Sequence, residues 1–163
     1  MTISVLRTAD GWWVQTAHGA AKVATSATTT AELLRDRTAV EAARDSMTTV
    51  PVSTLSLLSP VTKPCRVIAQ MTNFASHVKD AGLDPKTIPL TFFRKSSASI
   101  SGPFEPVVKP AHVRLLDYEV EIGLVIARDI AVGTTISETD LPGIIAGLVV
   151  TNDVSARDIQ LPQ

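Results

Sequence analysis

One cysteine in 163 residues, Cys65, excludes an internal disulfide. Aromatic residues are only 4% of the chain, and its basic residues are interspersed with acidic ones at a formal net charge of −1. Neither a base-stacking platform nor a phosphate-tracking stripe is therefore apparent, and nucleic acid is not an expected partner. The longest apolar run, Gly143–Val150, is far too short to span a bilayer, and Met1–Arg7 has no basic segment leading into an apolar stretch. The expected address is the cytoplasm, without a membrane. Hydrophobic residues make up 45% and there are 10 prolines, a composition suited to one ordinary soluble domain or to a small domain joined to a partial one. Cys65 precedes the apolar run Val67-Ile68-Ala69 and is expected to be a buried, inert thiol.

What the chain does have is a strand pattern in Asp117-Tyr118-Glu119-Val120-Glu121-Ile122-Gly123-Leu124-Val125-Ile126. Side chains alternate along a strand, so Glu119 and Glu121 share one face while Tyr118, Val120, Ile122, Leu124 and Ile126 take the other. At a spacing of roughly 6.6 Å and an effective dielectric of about 20, the two charges repel by about 2.5 kcal/mol, more than the roughly 0.2–1 kcal/mol of a favourable cross-strand pair. A dication would offset that repulsion. Asp153, at the end of the next apolar run Ile144–Thr151, is a natural third ligand, and hard carboxylate oxygens select Mg²⁺, Mn²⁺ or Ca²⁺ over zinc. The alternative is a solvated face on which both glutamates pair with basic residues.

Along the chain, Ile3–Arg7, Trp12–Thr16 and Ala21–Ala24, separated by Ala9-Asp10-Gly11 and His18-Gly19, predict a short antiparallel meander. Thr29-Thr30-Ala31-Glu32 and Thr38-Ala39-Val40-Glu41 both fit a capping box, predicting one or two helices between about Thr29 and Met47. Pro51–Pro64 reads as an extended crossing segment, with a soft boundary near residue 60. Beyond it the pattern predicts a buried strand Arg66–Gln70, a loop at Thr72-Asn73, a short helix around Ala75–Ala81 stopped by Gly82, and a strand Leu90–Arg94. A turn at Ser101-Gly102-Pro103, a strand near Phe104–Lys109, a long strand Leu115–Ala127, a capped turn at Ser137–Asp140 and the strand Ile144–Thr151 complete the second part.

Leu116-Asp117-Tyr118-Glu119-Val120-Glu121, then Gly147 through Asn152-Asp153-Val154-Ser155-Ala156-Arg157-Asp158-Ile159-Gln160, resembles the signature region of the fumarylacetoacetate hydrolase family. Asn73-Phe74-Ala75-Ser76-His77 is similar to the family's Asn-Tyr-x-x-His element, with Phe74 in place of tyrosine, and Phe92-Phe93-Arg94-Lys95-Ser96 to its Phe-x-Lys strand. The resemblance covers roughly residues 60 to 163, and the first sixty resemble the small N-terminal domain of longer members. It implies an α+β fold: a mixed β-roll, incomplete in this chain, over residues 61–163, preceded by a small N-terminal αβ domain over 1–60. It also implies Mg²⁺ or Mn²⁺, with Ca²⁺ an option, on Glu119, Glu121 and Asp153.

The activity the resemblance implies is cleavage, decarboxylation or isomerisation of small 2-oxo or 1,3-dicarbonyl acids through an enolate that a Lewis-acid dication stabilises. Hydrolysis of a C–C bond in an acylpyruvate-type acid is the first expectation. Decarboxylation of an oxaloacetate-type acid and isomerisation of an unsaturated hydroxy-dioate are alternatives, and a non-catalytic assembly module is the alternative of another class. His77 is the expected general base and Asp80, three residues on, the group that orients it; the family commonly carries the longer Glu at this second position. Lys95, Arg157 and Gln160 are the expected contacts to substrate carboxylate and oxo groups, while His18 and His112 match no motif. The family's catalytic domain continues past the position of Gln163 with further strands, a second lysine and a Gly-Thr-Pro loop. The expectation is a longer polypeptide or a complementary chain, a complete molecule that pairs into a homodimer, and residues 1–163 that do not make a stable solitary monomer.

Overall fold

The computed structural model describes residues 2–80 and 82–160. It mixes helix and sheet as an α+β arrangement, with five short helices and nine strands among those residues. Strands β1 (Ser4–Thr8), β2 (Gly11–Thr16) and β3 (Gly19–Lys22) form the antiparallel meander read from the sequence, the third lying two residues earlier than expected. Thr8 pairs with Gly11 and Thr16 with Gly19, so each turn holds two residues. Gly19 is required in the second: at φ +140 a side chain is strained, and a Cβ there would lie 2.4 Å from the Val50 carbonyl oxygen.

Helices α1 (Thr30–Arg35) and α2 (Arg37–Arg44) cover one face of this sheet. Trp12 and Val14, alternating on β2, are fully buried with Ala21, Val23, Leu33 and Ala43 to make the chain's main apolar core. The Trp12 indole N–H donates to the Ala27 carbonyl at 2.9 Å, so the largest core side chain enters without an unpaired polar atom. The first capping box forms as expected: the Glu32 amide donates to Thr29 Oγ1, and Glu32 accepts from the Thr29 amide. The second does not. Asp36 directly follows α1 and serves as the N-cap of α2, which puts Thr38 inside the helix rather than before it. Residues 51–64 cross in extended form with one 3-10 turn at Val52–Thr54, bridging at Val50 to Ala20 and at Leu58 to Arg7.

The second part consists of paired strands: β4 (Val67–Gln70) with β5 (Phe92–Lys95), β6 (Leu116–Asp117) with β9 (Ser155–Ala156), and β7 (Val120–Ile126) with β8 (Ile145–Asn152), all antiparallel. The expected strand Leu115–Ala127 is divided into β6 and β7, yet they pair with β9 and β8 in one register from Leu116 to Val125, which shifts by one residue at Ile126. Hydrogen bonds from the Asp153 amide to the Glu119 carbonyl (2.8 Å) and from the Arg157 amide to the Leu115 carbonyl (2.9 Å) continue the same line. Helix α3 (Ala75–Asp80) precedes Gly82 at φ +73, with Ala81 outside the described residues. A 3-10 turn at Glu138–Asp140 leads into α4 (Leu141–Ile144), and Arg157–Gln160 forms α5, a turn not anticipated from the sequence.

Three expectations are corrected. No strand forms near Phe104–Lys109, where Phe104, Glu105, Val107, Val108 and Lys109 are all exposed and Pro106 inside the segment, with Pro103 and Pro110 on either side, lacks the ladder N–H. The strand at Val67–Gln70 is not buried: Ile68 is exposed and Val67 half-buried, because among the described residues β4 pairs only with β5 and nothing covers its outer face. Cys65 is half-buried rather than buried. The same openness holds for β7, whose alternation leaves Val120 and Ile122 at 74% and 72% exposure while the carboxylate face is the more enclosed one. Among the described residues, no helix is long and apolar enough to cross a membrane.

Two tests follow from this packing. Hydrogen bonds from the Thr28 amide and hydroxyl and the Thr29 amide push the Glu32 carboxyl down to about 2 from its ordinary 4.5. A carboxyl lowered by folding contributes stability above its unfolded value and loses it as pH falls through the folded one. Glu32→Gln is therefore expected to lower the melting temperature near pH 7, with the difference from wild type closing between pH 4.5 and about 2; equal differences at both ends would contradict the cap. Gly123→Ala would place a Cβ 2.9 Å from Val149 Cγ1, across the β7–β8 pair. It should destabilise the protein by about 1–3 kcal/mol in denaturant titration.

Candidate metal and substrate site

The continuous register decides which side chains meet. Glu119 stands opposite Asp153, Glu121 opposite Thr151, and Asp117 opposite Ser155, with Arg157 next on that same opposing line. Opposed residues of an antiparallel pair project to one face, as do alternate residues of one strand. Asp117, Glu119, Glu121, Asp153 and Arg157 thus share one face of a single ladder. Asn152 fixes this register at the site by accepting the Glu119 amide hydrogen bond through its side-chain oxygen at 3.2 Å.

Two cations sit among these carboxylates. Lys95, at the end of β5, pairs with Asp153, whose side chain is only 8% exposed. The pair ties the β4–β5 ladder to the β7–β8 ladder. Arg157, at the start of α5, spreads its guanidinium over three partners: Nε donates to Asp117 Oδ2 at 2.9 Å, Nη2 to Glu119 Oε1, and Nη1 to Gln160 Oε1 at 2.9 Å. Asp158 turns the other way, accepting from the Arg114 amide at 2.8 Å and the Leu115 amide at 3.3 Å. Arg157 therefore pairs with Asp117, while its chain neighbour Asp158 pairs with Arg114.

The electrostatics follow the geometry. The Arg157 guanidinium, helped by the Tyr118 amide, holds the Asp117 carboxyl below its ordinary range, and the Arg114 amide does the same for Asp158. Glu121 moves the opposite way. Partial burial and then the neighbouring charges of Asp153 and Glu119 raise its carboxyl, and Lys95 only partly opposes them. Four carboxylates, Asp117, Glu119, Glu121 and Asp153, face two cations, which leaves two negative charges unmatched. Oxygen donors with that residual charge suit one hard dication such as Mg²⁺, Mn²⁺ or Ca²⁺. Among the described residues, no three carboxylate, histidine or cysteine groups are gathered as a ready coordination sphere; Lys95 holds Asp153 Oδ1 and Arg157 holds Glu119 Oε1.

The remaining sequence candidates lie apart. His77 and Asp80 are both exposed on α3, and among the described residues no hydrogen bond or ion pair joins them to each other or to the carboxylate face. Asn73 clamps the lead of α3 to the lead of β5: its side chain donates to the Thr91 carbonyl and accepts from the Thr91 amide, both at 2.9 Å. Asp117 is the site residue that the sequence reading left without a functional role. The signal was present, because Asp117 precedes Glu119 by the same two-residue step that separates Glu119 from Glu121.

A family model for the fumarylacetoacetate (FAA) hydrolase C-terminal domain matches residues 66–163. The mitochondrial oxaloacetate tautomerase Fahd2a of Rattus norvegicus is 35% identical over 133 residues, which is 79% of this chain and 41% of that protein. Human mitochondrial oxaloacetate tautomerase FAHD2A is 37% identical over 112 residues, 69% of this chain and 34% of that protein. The chain thus spans about two-fifths or less of the length of these curated relatives. The crystal structure of Cg1458 with inhibitor shares the fold at a TM-score of 0.68 and 22% identity, over 98% of this chain and 57% of that one. An uncharacterised protein from Mycobacterium abscessus superposes at 0.63 with 26% identity over the same shares. With the family model matching well over half of its residues and the acidic ladder supplying the signature segments, this chain belongs to the fumarylacetoacetate hydrolase family.

Proposed function

We propose that this chain supplies the acidic ladder and first substrate contacts of an enzyme that interconverts the keto and enol forms of a small 2-oxo dicarboxylic acid, oxaloacetate being the first to test. The observation that carries the reading is the face shared by Asp117, Glu119, Glu121 and Asp153, with Lys95 and Arg157 lodged in it. The sequence alone favours C–C hydrolysis. Tautomerisation takes precedence because the matched relatives bear that name, and it needs the same stabilisation of a developing enolate without breaking a carbon–carbon bond.

Glu119, Glu121 and Asp153 would hold Mg²⁺ or Mn²⁺, with Ca²⁺ a third hard candidate; when bound, the ion supplies a Lewis acid where negative charge develops on the substrate. Arg157 presents a planar fork suited to a carboxylate, Lys95 a point charge beside it, and Gln160 a neutral amide already within reach of Arg157. His77 takes the role of general base, removing the proton from the carbon beside the oxo group, while a proton is gained at the enol oxygen so that mass is unchanged. Asp80, on the same short helix, is the orienting carboxylate. In the complete molecule we assign residues 1–60 to a small N-terminal domain and 61–163 to the first part of a β-roll catalytic domain, paired as a homodimer in the cytoplasm. The open apolar faces of β4 and β7 support that reading by requiring cover from further chain.

Product analysis separates the branches. Incubated with oxaloacetate, the native protein with Mg²⁺ should speed loss of the enol absorbance without releasing CO₂. CO₂ release would assign decarboxylation, two acids from an acylpyruvate would assign hydrolysis, and inertness toward all three would leave the assembly-module alternative. His77→Ala should lower kcat by about 10²-fold or more with metal affinity unchanged, as expected for loss of a positioned proton-transfer group; turnover near wild type would remove His77 from the mechanism. Glu119→Gln and Glu121→Gln should each weaken Mn²⁺ binding by about tenfold or more in calorimetry, since each removes one anionic ligand.

A further inference from the structure

We infer that Lys95 and Arg157 act as internal counter-ions of the acidic ladder, exchanged for the dication, and that Asp117 is the positioning residue that keeps Arg157 at the site once Glu119 is given up. The inference rests on the metal reading above. Asp153 is nearly enclosed and has Lys95 as its cation, while Glu119 has one arm of Arg157. A dication at Asp153 Oδ1 or Glu119 Oε1 would displace the cation bound there, and at the second oxygen of either carboxylate it would be repelled by that adjoining cation, so metal entry competes with both ion pairs. The two cations fare differently on release. Among the described residues Lys95 makes no ion pair with a second carboxylate and meets Glu121 only through longer-range charge, so on release its ammonium becomes available to an anion. Arg157 remains held by Asp117 through Nε and by Gln160 through Nη1, and only Nη2 is liberated.

The consequence is an order of events. Before the dication arrives, the cations that would greet an anionic substrate are committed to the ladder. After it arrives, Lys95 and one arm of Arg157 face outward as donors for a carboxylate. Metal binding therefore precedes and enables binding of the acid. Asp117 is not a ligand in this scheme. It competes with Glu119 for Arg157, and weakening that competitor should make Arg157 hold Glu119 harder.

Opposite signs make the test decisive. In calorimetric titration of Mn²⁺ into the native protein, Lys95→Met is expected to tighten metal binding by about tenfold, or about 1.4 kcal/mol, because a competing cation has been removed. Asp117→Asn should weaken it by a similar factor although it removes no ligand. With Mn²⁺ saturating, oxalate binding should fall in Lys95→Met, so that one substitution improves the metal and impairs the acid. Lys95→Gln repeats the first arm should the methionine variant fold poorly. In wild type, acetylation of Lys95 followed by mass spectrometry should rise on adding Mn²⁺, a readout independent of any variant. Unchanged or weaker Mn²⁺ affinity in both Lys95 variants, or Lys95 acetylation that does not respond to Mn²⁺, would overturn the exchange while leaving the metal reading intact. Absence of Mn²⁺ binding by wild type would overturn both.

Discussion

Charge balance on one face of the β6–β9 and β7–β8 ladder organises the second part of this molecule. A continuous apolar core does not do this work there: the main buried cluster is built on Trp12, Val14, Ala21, Val23, Leu33 and Ala43, all in the first forty-three residues. Between the paired strands that follow, two cations supply the cross-links. Lys95 joins β5 to the end of β8 through Asp153, and Arg157 joins α5 to β6 and to the start of β7 through Asp117 and Glu119. Partial enclosure gives these pairs more weight than surface pairs carry, and it sharpens the repulsion felt by Glu121, which has Asp153 and Glu119 for neighbours and only Lys95 in opposition.

A cluster held this way is suited to chemistry on anions. The same groups that satisfy the carboxylates internally are the groups that recognise carboxylate ligands, and the residual negative charge is what a hard dication neutralises. Stability of the empty ladder and readiness for substrate are thus two uses of one set of charges. The exposed apolar faces of β4, β7 and β8 mark the other side of this construction. Exposure alternates residue by residue along β4 and β7, and the exposed side carries Ile68, Val120, Ile122 and Leu124, so the pattern anticipates a covering layer.

Much of this could be read from residues alone. Glu-x-Glu on a strand places two like charges side by side whatever the fold, and the meander, the Thr29–Glu32 cap and the Ser137–Asp140 cap follow from local hydrogen-bond chemistry that neighbours rarely override. Local pattern misled where it was satisfied by more than one structure. Thr38–Glu41 has the spacing of a capping box, but Asp36 had already closed α1 and opened α2. Phe104–Lys109 has strand-like residues, but Pro106 cannot donate to a ladder and among the described residues no partner strand is there to accept it.

The sequence by itself determined the donor chemistry: acidic side chains in alternate positions, a lysine ending an apolar strand, and an arginine four residues past Asp153. It could not determine the pairing register, because shifting an antiparallel pair by one residue leaves every local propensity intact while sending the whole set of side chains to the other face. Only the tertiary structure decided that Glu119 lies across from Asp153, that Arg157 reaches Asp117 rather than Asp158, and that Lys95 arrives from a different ladder. It also left His77 and Asp80 exposed and unjoined on α3, since a shared helix brings two side chains near without aligning their polar ends, and six residues of helix carry too few contacts to impose that alignment.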